Sequence, residues 1–144
     1  MYQYKAVIIK VIDGDTVDVD IDLGFEVWLK NQRIRLYGID TPESRTRDKV
    51  EKVFGNLAKN KILEFCPIGS EIVLQTKTDD SRGKYGRILG ELITKDGINV
   101  NEYFIENAYA VAYFGKSKED IAAQQLANRQ IILERGEVTL EGVS

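Results

Sequence analysis

Apolar and polar residues alternate along the first part of the chain, and this pattern predicts β-strands. Residues 4–12 form an apolar run that ends at the turn Asp13-Gly14-Asp15. Residues 16–23 alternate strictly between aliphatic and polar side chains, which is typical of a strand with one buried face. The aliphatic face consists of Val17, Val19, Ile21 and Leu23. A third strand is predicted over residues 25–39, with a bend near Asn31 and Gln32.

The spacing of apolar residues then becomes helical. It predicts a helix over residues 48–65, which Pro67 and Gly69 would end. Gly55 weakens the middle of this helix, so a later start near Phe54 is an open alternative.

Strand and helix signals follow one another in the second half of the chain. Strands are predicted over residues 70–76 and 86–93, joined by a loop over residues 77–85. A short helix is predicted over residues 98–107, and an apolar, aromatic connection follows it over residues 108–114. This connection is expected to pack on the core.

Ser117, followed by Asp120 at the spacing of a capping box, begins a last helix that Gly136 ends. The order of elements is therefore β-β-β-α-β-β-α-α. Five short strands with a helix between the third and fourth predict a mainly β, α+β fold, a Greek-key barrel of the oligonucleotide-binding (OB) type with three helices. We expect one domain over residues 1–136 and a weakly ordered tail over residues 137–144.

Composition excludes several classes of site. The 144 residues include no histidine and one cysteine, Cys66, which excludes histidine-based triads and cysteine-rich zinc sites. Carboxylates, Arg, Lys and Tyr remain for catalysis, and carboxylates favour Ca²⁺, Mg²⁺ or Mn²⁺. Because the net charge is −3, nucleic-acid binding would need a local basic patch. No signal peptide or membrane span is visible, so a cytoplasmic monomer is expected unless a leader has been removed.

Residues 34–43 bring charged side chains to the end of a strand. Arg35 lies on the strand, and the following turn presents Asp40 and Glu43 around Pro42, whose ring presets the turn geometry. A cation beside two carboxylates at a rigid turn suits chemistry on a phosphate. For this stretch alone, a surface salt bridge is an equally simple explanation.

Asp15 has the parity of the aliphatic face of the second strand, so its carboxylate is expected to turn inward. An inward carboxylate is costly unless a partner pairs with it. Asp15 is therefore a better metal-ligand candidate than the aspartates of the opposite face, which alternation alone explains: Asp18, Asp20 and Asp22.

Three motifs occur in order along the chain: Asp13-Gly14-Asp15-Thr16, Arg35 followed by Asp40-Thr41-Pro42-Glu43, and Lys84-Tyr85-Gly86-Arg87. Together they resemble the staphylococcal nuclease family, and the resemblance extends from about residue 6 to residue 136. This resemblance implies a nuclease that cleaves DNA and RNA with little sequence specificity. Single strands would be preferred, and cleavage of the 5′ P–O bond would leave 3′-phosphate ends.

The resemblance also implies a Ca²⁺ site, with Mg²⁺ or Mn²⁺ as alternatives. Asp15, Asp40 and the backbone carbonyl of Thr41 would supply its protein ligands. Asp13 would support these ligands by hydrogen bonding to the turn or to a metal-bound water, although it could equally serve only to close its own turn.

Catalytic roles follow from the same resemblance. Arg35 and Arg87 would bind the phosphoryl oxygens in bidentate fashion, and Glu43 would accept a proton from the attacking water. The structural alternative for Arg87 is that it only caps a strand.

Substrate contacts are implied for Lys84, Tyr85 and Tyr113. The family often has a second tyrosine two residues after Tyr113, but this chain has Gly115 there, with Phe114 between. Weaker or rearranged base stacking is expected as a result.

Two other functions are compatible with parts of the sequence. Related domains that have lost catalytic residues only bind nucleic acid, but this chain keeps the arginine and glutamate positions of the motifs. A barrel that binds oligosaccharide or protein would leave the inward Asp15 and the clustered arginines unexplained.

Overall fold

The computed structural model describes residues 2–77, 88–114 and 116–143. Three of the predicted site residues lie outside these ranges: Lys84, Tyr85 and Arg87. Within the described ranges the chain forms seven strands and three helices. In chain order they are β1 (Gln3–Asp13), β2 (Thr16–Asp22), β3 (Trp28–Leu36), β4 (Ile39–Asp40), α1 (Lys49–Phe65), β5 (Glu71–Thr76), β6 (Ile88–Ile93), α2 (Val100–Glu106), β7 (Val111–Ala112) and α3 (Lys118–Glu134).

Five strands close into a barrel in the order β1-β2-β3-β6-β5. Neighbouring strands are antiparallel except β3 and β6, which run parallel where Ile34 pairs with Ile88. Three side chains of β2 point into the barrel as alternation predicts, and each is at most 3% exposed: Val17, Val19 and Ile21. Burying a side chain of this size contributes about 1.5–3 kcal/mol. The predicted α+β fold with a five-stranded OB-type barrel is confirmed.

The hairpin between β2 and β3 differs from the prediction at its tip. Leu23 is 45% exposed and Phe25 is 99% exposed, although the pattern places Leu23 on the buried face and Phe25 in a strand. The chain turns at Phe25 and Glu26, whose φ angles are 56° and 63°, and β3 begins only at Trp28. The turn requires these positive φ angles, so the apolar side chains at the tip project into solvent. The predicted bend is present at Asn31, where φ is 53°.

β3 ends at Leu36, and the chain continues in a separate short strand that the sequence pattern does not predict. Gly38, with φ of 80°, lies at the break between the two strands. β4 then pairs with β7 in antiparallel register, which places Asp40 opposite Val111. This two-stranded sheet joins the stretch that carries Asp40 to the connection before α3.

α1 begins at Lys49, so the alternative start near Phe54 is wrong. The side chain of Asp48 caps the helix by accepting hydrogen bonds from the backbone N–H groups of Val50 and Glu51. The buried face of α1 consists of Phe54, Gly55, Ala58 and Ile62. A good cap and a buried face outweigh the low helix propensity of one glycine.

Cys66 follows α1 and is fully buried. Burial raises the pKa of its thiol to about 12. The thiol therefore stays protonated at neutral pH, which fits a structural role and not a nucleophile.

Asn101 in α2 is 2% exposed and ties this helix to the barrel. Its side chain accepts a hydrogen bond from the N–H of Leu92 and donates to the carbonyls of Tyr37 and Gly90. Because the buried Asn101 amide has all these partners, it holds the backbone at Tyr37, just before β4, against α2.

α3 begins after Ser117, whose hydroxyl accepts the N–H of Asp120, as predicted. Only Asn128 and Ile132 are buried among its described residues. In the part of the chain that the structure describes, no helix is long and apolar enough to span a membrane.

The residues after α3 contact the rest of the domain. Val138 and Leu140 pack against the core, and the hydroxyl of Tyr109 hydrogen-bonds to the carboxylate of Glu137. The weakly ordered tail over residues 137–144 stays a prediction.

Candidate functional site

The turn between β1 and β2 lies against the end of β3 and the stretch after β4. The backbone carbonyl of Asp15 accepts the N–H of Leu36 at 2.8 Å. The Asp15 carboxylate accepts the N–H of Thr41 at 3.2 Å through Oδ2 and the hydroxyl of Thr16 at 3.0 Å through Oδ1. As predicted, this carboxylate is turned inward, with 13% of the side chain exposed. Asp15 therefore links two segments that are 26 residues apart.

Arg35 lies between two carboxylates. Its Nη2 is 3.4 Å from Oδ2 of Asp15 and 3.8 Å from Oδ1 of Asp40. Its Nη1 donates a hydrogen bond of 3.0 Å to the carbonyl of Leu36, which orients the guanidinium plane. The Arg35 side chain is 16% exposed, whereas Arg33, two residues earlier, is 49% exposed and pairs with Asp18 on the outside of the barrel. The sequence places both arginines on one strand face, but only Arg35 has a half-enclosed acidic environment.

The electrostatics of the site are dominated by negative charge. The pKa of Asp40 is raised above its ordinary value, because partial burial and the charge of Asp15 both disfavour ionisation. The carboxylates of Glu43 and Glu51 raise it further, and Arg35 offsets part of the effect. A cation placed among these groups would therefore be stabilised.

The backbone around Glu43 is held from two directions. The N–H of Glu43 donates to Oε2 of Glu51 in α1 at 3.0 Å. The N–H and the hydroxyl of Ser44 both donate to Oδ1 of Asp13, the N–H at 3.2 Å. Asp13 thus supports the turn after Pro42 by bonding to Ser44, while the Glu43 side chain itself is exposed.

Gly55 brings α1 into contact with the same turn. A Cβ atom at this position would overlap the carbonyl of Glu43 and would lie 2.6 Å from the backbone nitrogen of Ser44. Close approach between a helix and another backbone is what requires glycine here. Gly55, which weakens the helix prediction, therefore allows α1 to pack directly against the backbone of Glu43.

Replacing Gly55 with alanine is expected to lower the free energy of unfolding by about 1–3 kcal/mol because of the backbone overlap. Helix propensity alone predicts the opposite sign, a gain of about 1 kcal/mol. The matched control is Asn56→Ala, an exposed neighbour in α1 for which only the propensity gain applies. Urea unfolding of both variants measures the difference, and a more stable Gly55→Ala variant would contradict the contact.

α3 also contacts the site. Nε2 of Gln125 donates a hydrogen bond of 3.1 Å to the backbone carbonyl of Asp40. One turn later, Nη2 of Arg129 lies 3.8 Å from Oε1 of Glu51. Neither residue is predicted from the sequence, because each acts through a contact with a segment far from it along the chain.

Comparison with protein-family models matches residues 33–131 to the model described as Staphylococcal nuclease homologue. The chain belongs to this family. The resemblance inferred from the three motifs is thereby confirmed, and the match covers more than half of the chain.

Several relatives of this staphylococcal nuclease homologue have names that mention nuclease activity. It is 29% identical to Endonuclease YhcR of Bacillus subtilis (strain 168) over 117 residues, which are 78% of this chain and 9% of that protein. It is 32% identical to an uncharacterized endonuclease of Escherichia coli over 106 residues, 74% of this chain and 59% of that protein. It is 30% identical over 129 residues to an uncharacterized protein of Methanocaldococcus jannaschii, again 59% of whose length is covered. The chain thus spans less than two thirds of the length of each relative.

The structure places the three predicted metal ligands Asp15, Asp40 and Thr41 near one another, but only two of them would bind through side chains. Asp15 and Asp40 approach the same guanidinium nitrogen, and the peptide of Thr41 contacts Asp15. Among the described residues, no group of three or more His, Cys, Asp or Glu side chains is placed to hold a metal. Carboxylate and carbonyl oxygens are hard donors of the kind that Ca²⁺ and Mg²⁺ accept, so the residue types fit such an ion.

Tyr113 lies in an aromatic cluster next to the site. Its N–H donates to the carbonyl of Gly38 at 3.2 Å, and its ring centroid is 5.2 Å from that of Phe114. The Phe114 ring lies over Gly38, where an added Cβ would be 3.0 Å from Cζ, and contacts Tyr37 at 5.0 Å. Gly115, like the residues of the Lys84-Tyr85-Gly86-Arg87 motif, lies outside the described residues.

Proposed function

We propose that this domain is a metal-dependent nuclease that hydrolyses phosphodiester bonds in DNA and RNA with little sequence specificity. The observation that carries the proposal is the position of Arg35, a guanidinium held within 4 Å of both Asp15 and Asp40. The names of two relatives support it. Single strands are the expected substrate, since their bases are free to stack on the exposed Phe114 and the half-buried Tyr113 near Gly38. A monomer is expected to suffice.

Arg35 would bind the phosphoryl group that is attacked. Its Nη1 is engaged with the carbonyl of Leu36, so the guanidinium is already oriented before substrate arrives. Binding a phosphoryl oxygen through the Nη2 side would stabilise the charge that develops during attack by water. Arg87 would bind the same group by its motif position, and Lys84 and Tyr85 would contact a neighbouring phosphate.

Glu43 would accept the proton of the attacking water. Its carboxylate is exposed beside Asp40, while its backbone is fixed by Glu51 and by the contact with Gly55. A general base must stay in place, and the fixed backbone of Glu43 supports this role. Tyr113 would stack on a base of the substrate.

Asp15, Asp40 and the carbonyl of Thr41 would hold a Ca²⁺ ion, with Mg²⁺ or Mn²⁺ as alternatives. The raised pKa of Asp40 supports this assignment, because a cation would offset the repulsion from Asp15, Glu43 and Glu51. When bound, such an ion neutralises charge on a phosphate oxygen. The 5′ P–O bond would break, and the products would carry 3′-phosphates.

The test is digestion of end-labelled single-stranded DNA and RNA with Ca²⁺, Mg²⁺, Mn²⁺ or EDTA. We expect cleavage of both polymers with at least one metal ion and a loss of about 10³-fold or more in EDTA. Equal cleavage in EDTA would contradict the metal-dependent mechanism. Binding of both polymers without cleavage in any metal would instead support the alternative, an inactive nucleic-acid-binding barrel.

A further inference from the structure

A cleft of about 510 Å³ separates the turn after Asp40 from α3. Thr41, Pro42 and Glu43 form part of one wall, and Ala122 and Leu126 lie on the other. The volume falls in the range of about 300–1,000 Å³ that is usual for small-ligand sites. Sequence periodicity gives no sign of this cleft, because Leu126 counts as an apolar helix residue yet is 60% exposed.

The cleft and the aromatic cluster lie on the two sides of Asp40 along the chain. The rings of Tyr113 and Phe114 contact the backbone at Gly38, before Asp40, and neither ring lines the cleft. The cleft wall starts at Asp40 and continues through Glu43. A phosphodiester joins two nucleosides, so a substrate whose phosphate binds at Arg35 needs space for a nucleoside in both directions.

The charges in the cleft suit a nucleoside better than a phosphate. The Glu51 carboxylate is engaged by Arg129 and by the N–H of Glu43, and the Asp48 carboxylate is occupied as the cap of α1. Besides the carboxylates of Asp40 and Glu43, the walls present Gln125, Arg129, aliphatic side chains and Lys118 at the start of α3. A sugar and base carry no charge, and Lys118 is the group that would meet the next phosphate.

Polar atoms without partners also gather along this cleft. Within the described residues, five buried side-chain oxygen or nitrogen atoms lack a hydrogen-bond partner, and three belong to residues that line the cleft. They are Oγ1 of Thr41, Oε1 of Gln125 and Nε of Arg129. Buried polar groups are normally satisfied, so this concentration indicates a surface suited to a ligand with hydrogen-bonding groups, as the edges of a nucleobase are.

We propose that this cleft binds the second nucleoside of the substrate, on the other side of the scissile phosphate from Tyr113. The inference rests on the proposed nuclease function and adds a subsite to it. The base would pack between Pro42 and Leu126, and Lys118 would contact the following phosphate. Residues of α3 that carry no catalytic group would therefore help to position the bond that is cleaved.

The experiment fills the cleft without altering the catalytic turn. Ala122→Trp places a large ring in the cleft from an exposed position of α3, and Ala127→Trp is the matched control on the same helix outside the cleft. Both changes are made in a Glu43→Gln background, which is the common reference for both tryptophans and in which turnover is expected to be slower by about 10²–10⁴-fold. Affinity for thymidylyl-thymidine and for thymidine monophosphate is measured with Ca²⁺ present, and backbone amide shifts are followed by NMR.

We expect the dinucleotide to shift amides at residues 113–114 and at residues 121–126. Ala122→Trp should lower the affinity for the dinucleotide by about tenfold or more, to a value close to that for the mononucleotide, and should remove the amide shifts in α3. Ala127→Trp should change neither the affinity nor the shifts. Dinucleotide shifts confined to residues 113–114, or equal effects of the two tryptophans, would overturn the cleft proposal and leave the nuclease proposal intact. Wild-type protein that cleaves nothing while both sets of shifts persist would overturn the nuclease proposal and leave the cleft as a binding surface.

Discussion

Replacement of Arg35 by alanine is expected to reduce cleavage of single-stranded DNA by about 10³-fold. The change removes the guanidinium that would stabilise the phosphoryl oxygens. It also leaves Asp15 and Asp40 without the cation that lies within 4 Å of both. Because Asp15 is only 13% exposed, we also expect the free energy of unfolding to fall by about 1–2 kcal/mol. Steady-state cleavage rates and urea unfolding measure the two effects separately.

Arg33→Ala is the matched control for Arg35→Ala. Arg33 is in the same strand, but it is 49% exposed and its partner is Asp18 on the outside of the barrel. An exposed pair of this kind contributes about 0–1 kcal/mol, so stability should change little and activity should not change. Arg35→Lys should recover much of the stability but little of the rate, since an ammonium keeps the charge and loses the planar donors. Full activity in Arg35→Lys would contradict bidentate binding of phosphate by Arg35.

Glu43→Gln is expected to lower kcat by about 10²–10⁴-fold with little change in KM. The amide cannot accept the proton of water, yet it keeps the size of the side chain. The backbone hydrogen bond to Glu51 does not involve the side chain of residue 43 and should persist. The negative charge of Glu43 also contributes to the raised pKa of Asp40, so its removal lowers that pKa. The variant should therefore be at least as stable as the wild type at neutral pH.

The control for Glu43→Gln is Glu106→Gln, the same substitution at an exposed position at the end of α2. Kinetics and thermal unfolding of both variants, with EDTA present in the unfolding measurements, separate a chemical role from a structural one. Wild-type kcat in Glu43→Gln would assign the base to another group. A large loss of stability would show that the side chain of Glu43 supports the turn.

Strict alternation was enough to predict that Val17, Val19 and Ile21 of β2 are buried, because burial on one face imposes a period of two. The inward Asp15 followed from the same parity. The order of strands and helices predicted the barrel. Short elements and turns could not be predicted in this way. β4 and β7 have two residues each, too few to show a period, and they exist because Asp40 pairs with Val111 across a distance in sequence. Phe25 is exposed because the turn at this position has a positive φ angle, which the hydrophobic pattern does not predict.

The motif residues of the candidate site were found from sequence, whereas their supports were not. Local sequence gives Gly55 a helix-breaking role, and only its contact with the carbonyl of Glu43 explains it. Gln125 lies on a helix that is predicted from its ends, Ser117 and Gly136, whereas its hydrogen bond to the carbonyl of Asp40 is not predicted. A single sequence does not show which segments far apart along the chain contact each other. The residues that support a site are therefore harder to predict than its motif residues.

The first two turns of α1 have a consequence for protein engineering. Asp48 starts this helix, Glu51 binds the backbone of Glu43, and Gly55 lies against the carbonyl of the same residue. None of the three performs chemistry in the proposed mechanism, yet together they hold the backbone of Glu43 against α1. A graft of residues 40–44 onto another barrel would therefore need residues 48–55 as well as the hydrogen-bond partners Asp13 and Gln125.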